Sequence, residues 1–472
     1  MSLEIETVPR AFAVWFKDLR LWSVGSFTRL QWQWPEEYVR PLSAALCRRV
    51  EGVDRKQYAA NDLQLVTLHF DGSMEPRGLD GQKSFKGKLF WAFPNDVVYS
   101  RIDVRNGAIG IVPPEMRRIA VSNEYPVYKV SPQIALPLYI KLLFRTEYFR
   151  RTINSMISGA SGRKRVQPEQ LEGIKVPFPP LPIQQAIVRR WEKVQQEIAE
   201  IQRQVEKSEA EIPQTVLTEL GIPFHPETTL PKVFALPWKD LERWSVNYLA
   251  RIITGVGDIH KAKCPLTTLG EIARISYGIQ KSPANRPGNY ARPYLRVANV
   301  QRGQLDLSEI KYINVPDSEF ETYRLQCGDL LVCEGNSADL VGRPAMWNDE
   351  IANCVHQNHI LRVRITAPSV LPEFVLEYMQ TPPARNYFRA RAKFTTNLAS
   401  INSNDLRELL VPLPQLDLQR RIVGWVKERR EEISREREKT RHLSTITKRE
   451  VEEMILGTRP VPEVNGKVRM SA

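Results

Sequence analysis

The sequence predicts a mixed α/β (α+β) fold: two similar globular domains separated by two long helices that form an antiparallel coiled coil, with a pseudo-twofold internal repeat. Three observations predict it. Segments of the two halves match in the same order, each half holds short β-type runs, and each half ends in a proline-rich corner followed by an amphipathic helix. The 472 residues allow two domains, and 42% hydrophobic with 26% charged residues is a globular composition.

The repeat rests on three pairs of segments that keep their order along the chain. The pairs are KDLRLWSVGSFTR with KDLERWSVNYLAR (17–29 and 239–251), FPNDVVYSR with QCGDLLVCE (93–101 and 326–334), and VPFPPLPIQQAIV with VPLPQLDLQRRIV (176–188 and 411–423). The first and third pairs each share seven of 13 residues, whereas the second match is weak. Chance matches would not keep this order, so we expect one duplicated unit.

Each unit begins with short runs of β-branched and aromatic residues. These runs are LQLVTLHF, DVVYS and YPVYKV in the first half, and DLLVC and HILRVRI in the second. The corners at 177–182 and 412–414 are too rich in proline to be helical throughout. We interpret them as rigid elbows where the chain leaves a globular domain.

The helix after each corner carries an apolar seam. The seam of the first helix is Ile187, Trp191, Val194, Ile198, Ile201 and Val205, at the 4-3-4-3-4 spacing of a coiled coil. We expect this helix to end before Pro213, which gives a rod of about 45 Å. The second helix, from Leu418 to about Leu456, carries Ile422, Val426 and Ile433, with Leu443 and Ile446 near the same face and Arg429 and Arg437 as interruptions. Antiparallel pairing is the simplest arrangement; the alternative is that each helix packs on its own domain.

The charge of the chain predicts a polyanionic partner. The 67 basic and 54 acidic residues give +13 and a pI near 9.5, which favours nucleic acid, although a mildly basic protein need not bind it. The five cysteines form no CxxC pair, and the N-terminus lacks an apolar run. We therefore expect reduced thiols, no membrane segment and a cytoplasmic location.

Signatures of catalysis are missing. The sequence holds no GxxxxGK[ST] phosphate loop and no Asn or Asp followed by Pro-Pro and an aromatic residue. Cys354, His356 and His359 could be imagined as metal ligands, but the alternating pattern around them favours a strand. We expect no catalytic residue, no metal and no cofactor bound by this chain.

The doubled corner and helix, together with GIQKSPANRPGNYARPYLRVANVQRGQLDL, GDLLVCEGNSADLVGRPAMWN and TNLASINSNDLRELLVPLPQLDLQRRIV, strongly resemble the specificity subunit of type I restriction-modification systems. The resemblance spans nearly the whole chain. One departure is that Ile183 and Leu418 precede the corner glutamines, where the family often has glutamate. That departure weakens a helix-capping role at the corners.

This resemblance implies two target recognition domains that each read one half of a split double-stranded DNA site. The expected boundaries are 1–178 for the first recognition domain, 179–220 for the first spacer helix, 221–238 for a linker, 239–412 for the second recognition domain, 413–457 for the second spacer helix and 458–472 for a flexible tail. It also implies two methyltransferase subunits that methylate adenine N6 with S-adenosylmethionine, and motor-nuclease subunits that use ATP and Mg to cut DNA.

Reading bases needs Arg for guanine and Asn or Gln for adenine, while Lys and Arg on phosphates fix the register. The candidate DNA-binding residues in the first unit are Lys83, Lys86, Lys88, Arg101, Asn106, Arg163, Lys164 and Arg165. Those in the second are Gln280, Lys281, Arg286, Arg296, Asn299, Asn336 and Arg343. The alternative for any one of them is an ordinary surface residue. The 163–165 cluster is the best phosphate candidate, because three adjacent charges resist a purely structural explanation.

Two other functions are compatible with the charge. One is a tandem nucleic-acid-binding adaptor outside restriction-modification, which would not co-purify with a methyltransferase. The other is a self-contained nuclease or methylase, which would turn over DNA with S-adenosylmethionine or magnesium.

If the helices act as a ruler, inserting four residues at Gln202 lengthens the rod by about 6 Å and the unread spacer by about two base pairs.

Overall fold

The computed structural model describes residues 32–54, 56–58, 63–77, 87–156, 165–223, 259–337, 340–394 and 399–462. The first pair of matching segments, at 17–29 and 239–251, lies outside these residues. The chain divides into two compact units: unit 1 comprises residues 1–200 and 439–472, and unit 2 comprises residues 201–438. Both units mix helices and strands, as the sequence predicts.

Unit 1 is built on a four-stranded antiparallel sheet in the order β2-β9-β6-β7. Its strands are β1 (Val39–Pro41), β2 (Leu46–Arg49), β3 (Val66–Leu68), β4 (Met74–Pro76), β5 (Leu89–Ala92), β6 (Val97–Tyr99), β7 (Ile109–Ile111), β8 (Ile119–Ser122), β9 (Val127–Val130) and β10 (Lys175–Pro177). Its short helices are α1 (Pro137–Leu143), α2 (Glu147–Ser155) and α3 (Pro168–Glu172). Two-stranded sheets pair β5 with β8, β3 with β4, and β1 with β10.

Local sequence explains where these elements begin. Asn95, with a φ of 69°, makes the turn before β6, and the Asp96 carboxylate accepts the main-chain N–H of Phe93 at 2.9 Å. Thr146 caps α2 by accepting the N–H of Phe149 at 3.2 Å. The central core buries the aromatic rings of Tyr99 and Tyr128 completely. The β-type runs predicted in this half therefore form β3, β6 and β9.

Unit 2 contains a four-stranded antiparallel sheet in the order β12-β21-β17-β19. Its strands are β11 (Leu266–Thr268), β12 (Ala273–Tyr277), β13 (Ala291–Leu295), β14 (Val300–Gln301), β15 (Gln304–Leu305), β16 (Lys311–Asn314), β17 (Leu330–Cys333), β18 (Gly335–Asn336), β19 (Pro344–Met346), β20 (Val355–His356), β21 (Ile360–Ile365), β22 (Lys393–Phe394), β23 (Ala399–Ser400) and β24 (Leu410–Pro412). In both units the chain order across the four-stranded sheet is first, fourth, second, third.

Unit 2 adds two three-stranded sheets, β16-β13-β20 and β18-β23-β22, to this plan. Its two-stranded sheets pair β11 with β24 and β14 with β15. Its short helices, numbered after the first long helix α4 (Leu181–Glu219), are α5 (Leu269–Ile272), α6 (Asp317–Tyr323), α7 (Pro372–Met379), α8 (Pro382–Arg391) and α9 (Ser403–Arg407), and the second long helix is α10 (Leu416–Leu456).

The predicted end of the first long helix was wrong, because α4 continues through Pro213 to Glu219. A proline inside a helix removes one hydrogen bond and costs about 3 kcal/mol. Here the apolar face continues past it: Ile212, Val216 and Leu217 are all buried. Burial of that face offsets the cost of the proline. At about 1.5 Å per residue, a helix of 39 residues is about 58 Å long.

The predicted seam residues face protein rather than solvent. Ile187, Val194, Ile198, Ile201, Val205, Ile422, Val426 and Ile433 are buried, and Trp191 is half-buried. The two arginines that interrupt the second seam are accommodated by polar and aromatic partners. Arg429 lies over the Trp425 ring at 5.6 Å, and Arg437 pairs with Glu209 at 2.7 Å.

Ion pairs connect the long helices within each unit. In unit 1, Arg190 of α4 bonds Glu450 of α10 at 2.8 Å. In unit 2, Arg437 of α10 bonds Glu209, and Arg421 bonds Glu219 at 3.0 Å. The residue numbers of the partners therefore decrease along α10 as those of the partners on α4 increase.

A buried glutamine joins each long helix to its globular domain. The Gln184 amide donates to the carbonyl oxygens of Pro179 and Ile134 at 2.7 and 2.8 Å and accepts the N–H of Leu136 at 3.0 Å. This glutamine is fully buried.

In unit 2, Gln419 is buried in the same way and makes the matching set of hydrogen bonds. It donates to the carbonyl oxygens of Pro414 and Ser369 at 2.9 Å each and accepts the N–H of Leu371 at 2.9 Å. The corners, where a capping role was doubted, are thus held by the glutamine side chain itself.

Hydropathy also limits what the long helices can do. Among the described residues, none of the helices combines the length and the apolar character that crossing a bilayer requires.

Candidate nucleic-acid interface

In unit 1, three chain segments meet just after β6. The main-chain N–H of Arg101 donates to the carbonyl oxygen of Glu124 at 3.0 Å, and the Arg101 carbonyl accepts the N–H of Val166 at 2.8 Å. The loop that follows is closed by Gly107, whose φ is +101°, and a Cβ there would lie 2.1 Å from the Phe70 carbonyl oxygen. Arg101 is thereby fixed between the 123–127 segment and the segment that begins at Arg165.

A concave notch opens beside Arg101 where the sheet divides. Strand β2 pairs with β9 as far as Arg49 and Val127, and the chain then crosses to β5, where Gly52 bridges Phe90. Between the diverging strands, the notch is lined by Arg48, Arg49, Val50, Phe90, Arg101, Asn123, Tyr125, Pro126 and Val127. Its polar lining is therefore dominated by arginine guanidinium groups and one amide.

The arginines of the notch differ in how far nearby carboxylates neutralise them. Arg49 bonds the buried Asp96 carboxylate at 2.8 and 3.2 Å. Arg48 lies 3.8 Å from Glu169, and both side chains are well exposed, so this pair is weak. The Nε atom of Arg101 is buried and has no hydrogen-bond partner among the described residues. Arg101 is the donor that the notch leaves unsatisfied.

The other predicted residues of unit 1 are only partly placed. Lys83, Lys86, Arg163 and Lys164 lie outside the described residues. Of the remaining three, Lys88 and Asn106 are exposed, and Arg165 is about half exposed and lies 3.2 Å from Glu124. The main-chain bond at Val166 thus brings Arg165 close to Arg101, which the sequence did not show.

In unit 2, an exposed loop carries three of the predicted residues. Gln280, Lys281 and Arg286 are all exposed in the segment between β12 and β13. The Asn285 side chain holds this loop by donating to the Gln280 carbonyl at 2.7 Å and accepting the Ser282 N–H at 2.8 Å. These three side chains remain available for a polyanion.

Asn299 and Arg343 must be removed from the candidate DNA-binding residues. Asn299 is 3% exposed and donates to the carbonyls of Asp306 and Glu309, at 2.8 and 3.0 Å. Arg343 is 5% exposed and donates to the Val297 carbonyl at 3.0 Å. Both side chains hold a turn together, and neither can reach a base without unfolding it.

The last two predicted residues of unit 2 have different outcomes. Arg296 pairs with Glu309 at 3.0 Å, so its charge is largely compensated. Asn336 lies in β18, but its side chain falls outside what the structure describes.

The histidines considered as metal ligands are used elsewhere. The His356 ring is fully buried, its Nδ1 lies 3.0 Å from the Ile360 carbonyl oxygen, and burial lowers its pKa to about 3, with Arg362 adding to the effect. His359 pairs with Glu334 at 2.7 Å. Cys354 is buried, and burial raises its pKa to about 12. Within the described ranges, no group of three His, Cys, Asp or Glu residues could hold a metal ion.

Sequence reasoning missed Arg48, Arg49 and Asn123. The text CRRV places two arginines next to each other at the end of a strand, and such a strand end was a usable signal. Nothing in the sequence shows that the chain leaves one sheet and joins another at this point. Asn123 lies in the segment between β8 and β9 and also lines the notch.

Comparison with known proteins shows which class of protein this chain resembles. Residues 82–220, which contain Arg101 and Gln184, match the family model described as the type I restriction modification DNA specificity domain. The specificity subunit of the type I restriction enzyme EcoKI from Escherichia coli (strain K12) is 24% identical over 292 residues, which are 61% of this chain and 58% of that protein.

Two further matches extend the comparison. The StySPI specificity subunit of Salmonella potsdam is 24% identical over 301 residues, 62% of this chain and 58% of its own length. This match and the EcoKI match therefore each span less than two thirds of the relative. A solved chain from work on complex assembly and conformational transition of the type I R-M system covers 90% of this chain and 97% of its own, with a TM-score of 0.53 and 17% identity, and shows the fold alone. The resemblance to type I specificity subunits predicted from the sequence is confirmed.

Proposed function

We propose that this chain is the DNA-binding specificity subunit of a type I restriction-modification complex, and that it reads a bipartite DNA target. The observation that carries the proposal is the specificity-domain match over residues 82–220, which includes Arg101 and Asn123 of the notch but not Arg48 or Arg49. The net charge of +13 supports a polyanionic ligand. The exposed Gln280, Lys281 and Arg286 supply donors in unit 2.

Two copies of one architecture are part of this proposal. Unit 1 and unit 2 share the strand order of the main sheet and the buried glutamine at the helix corner. Gln184, Pro179, Leu136 and Ile134 each lie 235 residues before their counterparts in unit 2. A constant offset in a set of four residues is what a duplicated unit would produce.

The two long helices are proposed to form an antiparallel coiled coil that separates the two DNA-reading regions. The pairs Arg190–Glu450 in unit 1 and Arg437–Glu209 in unit 2 support antiparallel pairing. The buried seam residues supply the apolar contacts that such a pair needs. The domain boundaries predicted from the sequence, at residues 178, 220, 238, 412 and 457, belong to the same proposal.

In this proposal the chemistry belongs to partner subunits. The chain itself binds no cofactor. Two methyltransferase subunits use S-adenosylmethionine to methylate adenine N6, and motor-nuclease subunits use ATP and Mg. The absence of a phosphate loop and of a methyltransferase base-binding motif from the sequence supports this division.

Mapping adenine methylation in the genome with and without the gene tests the function. We expect a split motif to lose methylation when the gene is deleted and to regain it when the gene is restored. Purifying the tagged chain from its native cells is the matched experiment, and a methyltransferase of similar or larger size is expected to follow it. An unchanged methylome, with no methyltransferase recovered, would favour a nucleic-acid adaptor outside restriction-modification.

An insertion tests the spacer. Four residues added after Gln202, with four added to the facing stretch of α10, lengthen both helices by about 6 Å. We expect both half-sites to stay the same and the unread spacer to grow by about two base pairs, because each base pair rises about 3.4 Å. A methylated motif with the original spacing would contradict the ruler.

A further inference from the structure

The notch beside Arg101 has a chemical character that selects its ligand. Its polar side chains are the guanidinium groups of Arg48, Arg49 and Arg101, the Asn123 amide and the Tyr125 hydroxyl. Guanidinium groups only donate hydrogen bonds, so the ligand must offer acceptors. Since Asp96 already neutralises Arg49, the charge that remains comes mainly from Arg48 and Arg101. An anion with several oxygen atoms fits these donors.

Shape separates a phosphate from a base edge. The notch is concave because β2 and β9 diverge; Arg49 and Arg101 are half-buried in it, and Arg48 is exposed. A side chain that reads a base must project into a DNA groove, whereas a phosphate projects from the DNA and can enter a recess. Arg101 lines this recess, and its buried Nε has no hydrogen-bond partner among the described residues. An unsatisfied buried donor destabilises the folded state, and an acceptor that reached this guanidinium group would remove that cost.

We propose that the notch formed by Arg48, Arg101 and Asn123 binds one phosphate group of the DNA backbone and fixes the register of unit 1 on its half-site. This inference rests on the proposed function, because it assumes that the chain binds double-stranded DNA. Arg101 is a positioning residue in this scheme. It carries no sequence information itself, and the exposed residues around it face bases only when the phosphate is seated.

The test uses the full chain, a short random-sequence DNA duplex and the variants Arg101→Gln and Arg101→Lys. Each phosphate contact contributes about 0.9 to the slope of log affinity against log salt. We expect R101Q to lower this slope by about one, so that its deficit relative to the wild type shrinks about threefold between about 50 and 200 mM salt. R101K keeps a charge in the notch and should keep the slope.

The matched control is Arg117→Gln, which removes an exposed arginine from the loop before β8 and leaves the notch intact. We expect R117Q to leave the slope near that of the wild type, and thermal unfolding of all variants to confirm that they are folded. If the wild-type chain binds the duplex but R101Q behaves as R117Q does, the phosphate notch is wrong and the proposed function stands. If R101Q weakens binding to one DNA sequence only, Arg101 contacts a base and the notch is again wrong. If the wild-type chain does not bind the duplex at all, the proposed function itself fails.

Discussion

Unit 1 and unit 2 use the same main-chain bond beside the main sheet but place opposite charges there. The carbonyl of Arg101 accepts the N–H of Val166 in unit 1, and the carbonyl of Glu334 accepts the N–H of Ile401 in unit 2, at 2.8 and 2.9 Å. Arg101 lines an arginine-rich notch, whereas the Glu334 carboxylate binds His359. The two units therefore share this backbone arrangement but carry different side chains on it.

The turn before this position makes the same point from the interior. Asp96 and Asp329 are both buried, and each accepts a main-chain N–H three residues earlier, at 2.9 and 2.8 Å. Each also binds one arginine, Arg49 in unit 1 and Arg364 in unit 2. The buried residues that hold the turn are thus alike in the two units. The residues at the strand ends that face solvent differ. Under the proposed function, recognition of two different half-sites would require that kind of difference.

The largest expected effect comes from removing the buried corner glutamine that the two units share. Gln184→Leu and Gln419→Leu each leave one main-chain N–H and two carbonyls without their side-chain partner. We expect each to lower the free energy of unfolding by about 3 kcal/mol. Hydrogen exchange of the amides in α1 and α7 would assign the loss to one unit. Unequal losses in the two variants would contradict equivalent joints.

The next effect belongs to unit 2 alone. Glu377 of α7 is 6% exposed, binds Arg430 at 2.7 Å, and has its pKa raised to about 7 by burial, which Arg430 only partly opposes. The folded state binds this proton more tightly than the unfolded state, so stability falls as the pH rises from about 4.5 to 7.

We expect this carboxyl to cost unit 2 about 2–3 kcal/mol between pH 5 and 8. Glu377→Gln should remove that loss, as measured by denaturant unfolding at both pH values. Leu142, the residue 235 positions earlier, gives unit 1 no such group. An equal pH dependence in the wild type and E377Q would rule out the shifted carboxyl.

His356 is expected to act in the opposite direction. Its folded pKa lies below the ordinary value, so its contribution to stability is complete above about pH 6.5 and is lost as the pH falls toward 3. At pH 5 the loss should be about 2 kcal/mol. His356→Gln should flatten the acid side of the unfolding profile of unit 2. Histidine NMR titration gives an independent check, because a ring that titrates near pH 6.5 would contradict burial in the neutral form.

The smallest effect concerns an ion pair at the surface. Arg421 and Glu219 lie 3.0 Å apart, but the arginine side chain is 70% exposed. Glu219→Gln should change the free energy of unfolding by less than about 0.5 kcal/mol. The more enclosed Arg190–Glu450 pair of unit 1 is the comparison, and Glu450→Gln should cost more. Thermal unfolding of both variants in low and high salt measures the difference.

Much of the fold could be predicted because it rests on patterns a few residues long. The β-type runs became strands, and α10 ends at Leu456 as its periodicity indicates. Pro213 misled the prediction because local propensity opposes a helix there and only tertiary burial of its neighbours sustains one. Local pattern cannot reveal that balance.

The candidate site was harder to predict because it depends on contacts between distant segments. Asn299 and Arg343 looked like base-reading residues, but they are 44 positions apart in sequence and both hold the turn around Val297. Arg48 and Arg101 were not connected until the crossing of β2 placed both in one notch. Side-chain type predicted the kind of ligand, and only the sheet geometry showed which arginines could act together.

Every side-chain hydrogen bond that Gln184 and Gln419 make with the described residues goes to a main-chain atom. A joint of this kind imposes a backbone path on its surroundings and makes no demand on their side chains. The loops of each unit can therefore change in sequence while their attachment to the long helix is preserved. An engineer could graft foreign loops onto either unit, keep the corner glutamine, and expect the transplanted surface to be held at the same angle.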